Sequence, residues 1–353
     1  MAGYLVLESG EVFQGNWRGG EPKAGEVVFN TSHSGYEEIA TDPSYHNQIM
    51  VMTTSQLGNY GVDESFWESK KLHITGFVAL EIQSDAFSGW KGRLDQFQIP
   101  SMDQVDTRSL VLTLREKGTV WGALVEESDE ESARKAAKTL IVEKKQEDLD
   151  WAYATTCSDA YVIKGEVDSG PRVAVMDFGC KTNILRELQK RCKEVKVFPS
   201  RATADQIKEY DPQGILLSNG PGNPEDVKQA QETIRNLLGW RTIFGICMGH
   251  QLLCLSMGGK TFRLKFGHRG SNHPIKDDLL KTIYITSQNH GYAVESGSLP
   301  EHVEETHFNL NDNTLAGINS DKNKCFSVQF HPESHPGPRE SELLFDHFIK
   351  RVL

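Results

Sequence analysis

The sequence lacks the features that mark several large classes of protein. None of its 353 residues fall in an apolar run approaching the roughly 20 needed to span a bilayer, so we expect no transmembrane helix. No basic segment precedes an apolar one at the start, so we expect no signal peptide. The six cysteines show no close-pair spacing, which favours free thiols in a reducing compartment. We therefore expect a cytoplasmic protein with no membrane association.

Positive charge is scarce as well. The chain has 38 Lys and Arg residues against 49 Asp and Glu residues, a net charge of −11, which makes nucleic acid or an anionic membrane a poor candidate partner. Neither His-Glu-x-x-His nor Cys-x-x-Cys occurs. His331 and His335 are four residues apart, but Pro332 and Pro336 argue against a helix that would place both on one face. We expect no metal site.

The patterns that are present divide the chain into two parts. Residues 1–150 contain short strand-like runs separated by glycines and end in a charged helix, which predicts a mainly β domain of β/β/α type. Residues 151–170 are predicted to be a linker. From residue 171 strands alternate with helices, which predicts an α/β domain over 171–353, with a mostly parallel sheet and helices on both faces.

One cysteine stands at a sharp turn between a predicted strand and a predicted helix. A Gly-x-Cys-x-Gly motif spans residues 245–249 and has the shape of a nucleophile elbow. Glycines beside the tip allow backbone conformations that a side chain would block, and the following helix N-terminus favours a thiolate at Cys247. The alternative is a buried structural cysteine, which is what most free cysteines are.

A base and its orienting acid follow a later strand. Pro332 keeps His331 extended, and residues two apart in an extended segment point to the same side. Glu333 could therefore accept a hydrogen bond from one imidazole nitrogen while the other faces a thiol, as in a catalytic triad. The alternative is a structural histidine at a strand end. Two polar segments, 218–224 and 286–294, read either as ordinary turns or as sites for an oxyanion and a polar substrate.

Taken together, these motifs resemble class I, triad-type glutamine amidotransferases over residues 171–353. Motifs of the first part, at 25–31, 35–39, 41–45, 58–61 and 106–108, resemble the small subunits of glutamine-dependent carbamoyl-phosphate synthetases, so the resemblance spans essentially the whole chain. It implies that residues 1–150 contact a large partner subunit. It also implies that ammonia passes to that subunit, where ATP and Mg²⁺ act. No cofactor is expected here, which fits the absence of a Gly-x-x-x-x-Gly-Lys-Ser/Thr loop.

The resemblance also implies site roles. Cys247 would attack the amide of glutamine, His331 would transfer protons, and Glu333 would hold His331. The N–H groups of Gly222 and Met248 would bind the oxyanion, and Ser44 would come from the other domain. The implied glutamine-binding residues are Ser44, Gly220, Gly222, Met248, Gln251, Asn289, Gly291 and Tyr292. A catalytically inactive regulatory relative and a stand-alone cysteine hydrolase remain alternatives.

Overall fold

The structure is a computed structural model that describes residues 2–83, 89–147 and 149–353. The chain forms two compact units. The first comprises residues 1–148 together with Lys265–Arg269, and the second comprises Leu149–Leu264 and Gly270–Leu353. Within the described part of the chain, no helix is long and apolar enough to cross a membrane.

Seven strands of the first unit close into a barrel, in the order β1-β2-β8-β6-β4-β3-β9. The pairs β3–β4, β4–β6 and β6–β8 are parallel, and β5 and β7 pair only with each other. The strands are β1 Ala2–Leu7, β2 Val12–Gly19, β3 Lys23–Asn30, β4 Gln48–Met52, β5 Gln56–Leu57, β6 Gly76–Val78, β7 Glu81–Ile82, β8 Ser101–Asp103 and β9 Val120–Glu126. The sequence predicted strands here but not their closure into a barrel.

Alternate side chains of each strand point out of the barrel, and helices pack against these outward-facing side chains. Helix α4 packs through Ala133, Ala137 and Ile141, three members of the apolar stripe visible in its sequence, against residues of β1 and β9. Most of the other residues of α4 are polar or charged, and Val142 is exposed among them. The helices of this unit are α1 Tyr36–Thr41, α2 Trp90–Gln96, α3 Thr107–Lys117 and α4 Glu130–Lys144, with 3-10 turns at Pro43–Tyr45 and Glu64–Phe66.

A ten-stranded sheet forms the second unit, in the order β10-β12-β11-β13-β14-β19-β18-β16-β15-β17. Its five strands β12, β11, β13, β14 and β19 are parallel neighbours. The strands are β10 Tyr161–Lys164, β11 Arg172–Asp177, β12 Glu194–Pro199, β13 Gly214–Leu217, β14 Thr242–Ile246, β15 Thr261–Asp277, β16 Thr282–Val294, β17 Glu304–Asn309, β18 Leu315–Ser320 and β19 Cys325–Val328.

Two hydrophobic cores flank the parallel strands. Along β13, Ile215 and Leu217 join one core and Leu216 joins the other, because successive side chains of a strand point to opposite faces. Helices α7, α8 and α9 cover the first core, and α6 and α10 cover the second. The helices are α5 Trp151–Thr155, α6 Thr182–Gln189, α7 Ala204–Tyr210, α8 Lys228–Leu237, α9 Met248–Ser256 and α10 Leu343–Val352, with 3-10 turns at Pro224–Asp226 and Glu340–Glu342.

Two sequence-based expectations need correction in this unit. The sheet is mixed rather than mostly parallel, because β10, β18 and the long strands β15 and β16 join it as well. Residues 151–170 are not a free linker. They contain helix α5 and strand β10, and β10 pairs antiparallel with β12 at the sheet edge. Tyr161 and Val162 are exposed on this edge strand, so hydrophobic patterning gave it little signal.

Candidate active site

Polar segments follow four neighbouring parallel strands, and parallel strands place their carboxyl ends at one edge of a sheet. Residues 178–183 follow β11 and residues 218–223 follow β13. Cys247 follows β14, and residues 329–333 follow β19. The sheet topology therefore gathers the predicted triad and the predicted oxyanion turn on one edge.

Cys247 stands at a backbone turn that only small neighbours permit. Its φ of 52° and ψ of −103° are unusual for a residue with a side chain, and it caps the N-terminus of α9. A Cβ on Gly249 would lie 2.2 Å from the carbonyl oxygen of Leu217, and one on Gly245 would lie 2.8 Å from that of Gly249. The Gly-x-Cys-x-Gly pattern thus has a steric cause, and the strained turn presents the sulfur beyond the strand end.

Amide groups surround the sulfur of Cys247, which is 2% exposed. The sulfur lies 3.6 Å from the carbonyl oxygen of Asn289 and 3.7 Å from Nε2 of Gln329. Nε2 of Gln251 donates to the carbonyl oxygen of Tyr292 at 2.8 Å and to Oε1 of Gln329 at 3.1 Å. The Gln251 side chain therefore joins helix α9 to strand β16 and to Gln329 beside the sulfur.

His331 and Glu333 form a fully buried pair. Nδ1 of His331 lies 2.7 Å from Oε1 of Glu333, and the His331 backbone N–H donates to the carbonyl oxygen of Ser287 at 2.9 Å. Nε2 of the ring is buried as well, and Cys247 interacts with this ring. Burial lowers the pKa of His331, but the Glu333 carboxylate and the Cys247 sulfur raise it more, so the net shift is upward. The imidazolium form is favoured beside the sulfur.

A lysine holds the other side of the carboxylate. Nζ of Lys181 lies 3.0 Å from Oε1 of Glu333 and also donates to the carbonyl oxygen of Ser334, and the Lys181 side chain is 3% exposed. Nδ2 of Asn183 donates to the Glu333 carbonyl oxygen at 2.5 Å. Burial raises the pKa of Glu333, whereas Lys181 and then His331 lower it, so it lies well below its usual range. Glu333 is therefore anionic.

Hydrogen bonds join the turn after β13 to the segments that follow its two neighbouring strands, β11 and β14. Oγ of Ser218 accepts from the Phe178 N–H at 2.9 Å, and the Ser218 carbonyl accepts from the Gly249 N–H at the same distance. Gly220 packs so closely on the chain after β11 that a Cβ would lie 2.3 Å from the carbonyl oxygen of Phe178. Gly222 has a φ of 92°, which a residue with a side chain rarely adopts.

The second unit therefore contains most of the predicted site residues. Cys247, Gln251, Asn289 and Tyr292 are linked by the contacts above. Ser44 lies in the first unit, in the 3-10 turn Pro43–Tyr45, where its N–H donates to Oδ1 of Asp42 at 2.9 Å. Its predicted contact with glutamine stays a prediction, as do the oxyanion and glutamine-binding roles of the other predicted residues, which are Gly220, Gly222, Met248, Gln251, Asn289, Gly291 and Tyr292.

Sequence reasoning missed three residues that the structure places here. Lys181 and Asn183 hold the carboxylate and backbone of Glu333, and Gln329 lies beside the sulfur. Their only sequence signal is position, because each follows the carboxyl end of a parallel strand. Among the described residues, no group of three or more His, Cys, Asp or Glu side chains is arranged to hold a metal ion.

Comparison with known proteins follows the same division of the chain. The model of the family "Glutamine amidotransferase class-I" matches residues 174–351, and that of "Carbamoyl-phosphate synthase small chain, CPSase domain" matches residues 5–124. A carbamoyl phosphate synthase small chain of Clostridium perfringens is 42% identical over 100% of both chains. One from Chlorobaculum tepidum is 44% identical over 98% of this chain and 96% of its own. A pyrimidine-specific small chain of Halalkalibacterium halodurans is 43% identical over the same shares.

Proposed function

The chain belongs to the carbamoyl-phosphate synthase small chain family and carries a class I glutamine amidotransferase domain, and on that premise we propose that Cys247, His331 and Glu333 hydrolyse glutamine. Ammonia then passes to a large synthetase subunit, which forms carbamoyl phosphate from bicarbonate and ATP. The family resemblance noted in the sequence is thereby confirmed, and the triad chemistry and the delivery of ammonia are proposed.

One observation carries the proposal. A buried carboxylate lies 2.7 Å from a buried histidine, and the Cys247 sulfur interacts with that histidine and raises its pKa. The arrangement of acid, imidazole and sulfur matches the roles of a nucleophile, its base and an orienting group.

The raised pKa of His331 determines how the first step runs. The raised pKa suits the ring to take and hold the thiol proton, so we propose that the sulfur attacks as a thiolate beside an imidazolium ion. The sulfur attacks the δ-carbon of glutamine, and the oxygen of that amide becomes an oxyanion. The N–H groups of Met248 and Gly222 are the proposed donors to this oxyanion. Met248 is the first residue of helix α9, and the first N–H groups of a helix have no intrahelical acceptor.

Collapse of this intermediate breaks the C–N bond, and His331 gives its proton to the leaving nitrogen. Ammonia departs and a γ-glutamyl thioester remains on Cys247. Neutral His331 then takes a proton from water, whose oxygen attacks the thioester, so that glutamate is released and the thiolate–imidazolium pair is restored. The balance is glutamine and water to glutamate and ammonia. These steps need no metal or cofactor, and we propose that ATP and Mg²⁺ act in the large subunit.

Glutamate release by the complex with its large subunit tests the proposal. We expect Cys247→Ala to abolish release and Cys192→Ala to retain it, because Cys192 is a buried core residue outside the site. Both variants should still form carbamoyl phosphate from added ammonia, since that step needs no glutaminase. A wild-type complex that makes carbamoyl phosphate from ammonia but releases no glutamate would instead support an inactive regulatory relative.

The ratio of products tests delivery separately. If ammonia passes directly to the large subunit, glutamate and carbamoyl phosphate should form in a ratio close to unity. A large excess of glutamate, with ammonia free in the medium, would contradict delivery while leaving the hydrolysis itself intact. Glutamate release that does not change when the large subunit is removed would favour the stand-alone hydrolase.

A further inference from the structure

We propose that Trp151 is a positioning residue that holds the turn at residues 220–222 so that the Gly222 N–H is aimed at the reacting oxygen. The inference rests on the proposed glutaminase function and goes beyond it, because Trp151 lies in a segment for which the sequence predicted only a linker.

Trp151 covers one face of Gly222. A Cβ on Gly222 would lie 3.3 Å from Cβ of Trp151 and 3.6 and 3.7 Å from the ring atoms Cε3 and Cδ2, so the side chain stands directly across from the glycine Cα. Trp151 is only 7% exposed. Gly222 has a φ of 92°. A glycine adopts positive and negative φ values about equally readily, so its own backbone preference does not hold it in this conformation. A rigid aromatic neighbour supplies that restraint.

The helix that carries Trp151 is anchored at its C-terminal end to the chain after β11. Oγ1 of Thr155 donates to the carbonyl oxygen of Phe178 at 3.2 Å, and Oγ1 of Thr156 donates to that of Asp177 at 2.6 Å. The Cys157 N–H donates to Oδ2 of Asp177 at 2.8 Å. Three successive residues therefore fix the end of α5 to the edge of the sheet that carries the site.

The N-terminal end of α5 is anchored independently. Oδ1 of Asp150 accepts from the Tyr153 N–H at 3.0 Å, and Oδ2 of Asp150 lies 3.0 Å from Nη2 of Arg201. The Arg201 guanidinium stacks 3.4 Å from the centre of the Tyr153 ring. A five-residue helix has little stability of its own, so these contacts at both ends explain how it can act as a rigid support for Trp151.

The turn is also supported by the chain after β11. Gly220 packs against the carbonyl oxygen of Phe178, the same oxygen that accepts from Thr155. Residues 220–222 thus contact both the end of β11 and helix α5. Loss of the indole would remove one of the two supports, and a displacement of the N–H by a fraction of an ångström weakens its bond to an oxyanion.

Four variants of the complex test this role, namely Trp151→Ala, Trp151→Phe, Trp151→Leu and Trp240→Ala. Trp240→Ala is the matched control, because it removes an indole of the same unit that contacts Lys208 and Arg241. We expect kcat for glutamate release to fall about 10- to 100-fold in Trp151→Ala, with KM for glutamine changed by less than about threefold. Trp151→Phe keeps a ring on Gly222 and should lose less than about fivefold, and Trp240→Ala should stay within about twofold of wild type.

Alkylation of Cys247 by iodoacetamide separates positioning from general disruption. That reaction forms no oxyanion, so its rate in Trp151→Ala should stay within about twofold of wild type while kcat falls. Equal losses in alkylation and kcat, or an unchanged kcat, would overturn the inference. If Trp151→Ala does not fold, Trp151→Leu decides by the same criteria, since Leu keeps an apolar side chain without the ring. Failure of the wild-type complex to release glutamate would instead overturn the proposed function.

Discussion

Replacing Lys181 by Met tests whether Glu333, the acid of the proposed triad, depends on its ion pair with Lys181. Lys181 is buried and its ammonium group contacts two acceptors, Oε1 of Glu333 at 3.0 Å and the carbonyl oxygen of Ser334. Met has a similar length and no charge, so the substitution removes the cation without opening a large cavity. It leaves the buried Glu333 carboxylate with His331 as its remaining cationic partner.

The expected size of the effect follows from this geometry. Two unit charges 3.0 Å apart attract by about 5 kcal/mol at an effective dielectric constant of roughly 20, before the cost of burying them. Removing one partner of a buried pair typically costs about 3–5 kcal/mol of stability. Because His331 still faces the carboxylate, we expect a loss near the lower end, about 3 kcal/mol.

Urea unfolding and the pH profile of glutamate release measure the two consequences. Lys276→Met is the matched control, because Lys276 pairs with Asp278 at 2.9 Å while the two side chains are 51% and 36% exposed, and exposed pairs contribute about 0–1 kcal/mol. Without Lys181 the pKa of Glu333 should rise, since Lys181 is the largest influence that lowers it. The acid limb of activity should therefore move to higher pH, with kcat reduced about tenfold or more.

Two outcomes would refute this reasoning. A Lys181→Met variant as stable as Lys276→Met would mean that the buried ion pair contributes no more than a surface pair. An acid limb at the wild-type pH would mean that Lys181 does not set the charge of Glu333, even if kcat fell for another reason.

Two further predictions concern the same edge of the sheet. The pKa of His331 is raised above 6.5 by folding, so its contribution to stability is complete below about pH 6.5 and is lost as pH rises through the raised value. Urea midpoints between about pH 6 and pH 10 should fall more steeply for wild type than for His331→Gln, and equal slopes would contradict this. Gly249→Ala would place a Cβ 2.2 Å from the carbonyl oxygen of Leu217, so we expect at least about a 100-fold loss of kcat or failure to fold. Gly258→Ala, where nothing lies within 4 Å, should cost about 1 kcal/mol and leave kcat within about twofold, and an equally active Gly249→Ala would refute the steric account.

The sequence predicted those parts of the site in which local backbone geometry determines the contact. The side chains of His331 and Glu333 are hydrogen-bonded as predicted. The segment is not extended as expected, however, because residues 332–333 form a turn in which the Ser334 N–H donates to the carbonyl oxygen of His331 at 3.1 Å. The glycines around Cys247 predicted a close approach of backbone to backbone, and the structure shows which carbonyl oxygens they approach. The family resemblance was predicted from the same motifs and is confirmed.

Features that depend on distant partners escaped prediction. Lysine is almost always exposed, so no pattern marks Lys181 as a buried residue 152 positions before the glutamate that it contacts. Closure of the first-unit barrel depends on pairing β1 with β9, which are separated by more than 100 residues. The strands β15 and β16 lack a regular alternation of exposed and buried residues, and each contains a run of buried residues that are mostly polar or glycine, which hid their length.

The carboxyl end of β11 connects Lys181 and helix α5, two features that the sequence did not predict. It supplies none of the three triad residues. Asp177 accepts a hydrogen bond from Cys157, just after helix α5. The carbonyl oxygen of Phe178 accepts from Thr155 of that helix and packs closely against Gly220. Three residues after Phe178, Lys181 reaches Glu333. A shift of this short segment would therefore move the acid and the proposed oxyanion turn together. Lys181→Met and Trp151→Ala perturb its two ends, so their combined effect on kcat should differ from the product of the single effects, because groups that share a support couple. A double-mutant cycle in which the two effects multiply would show that the supports act independently.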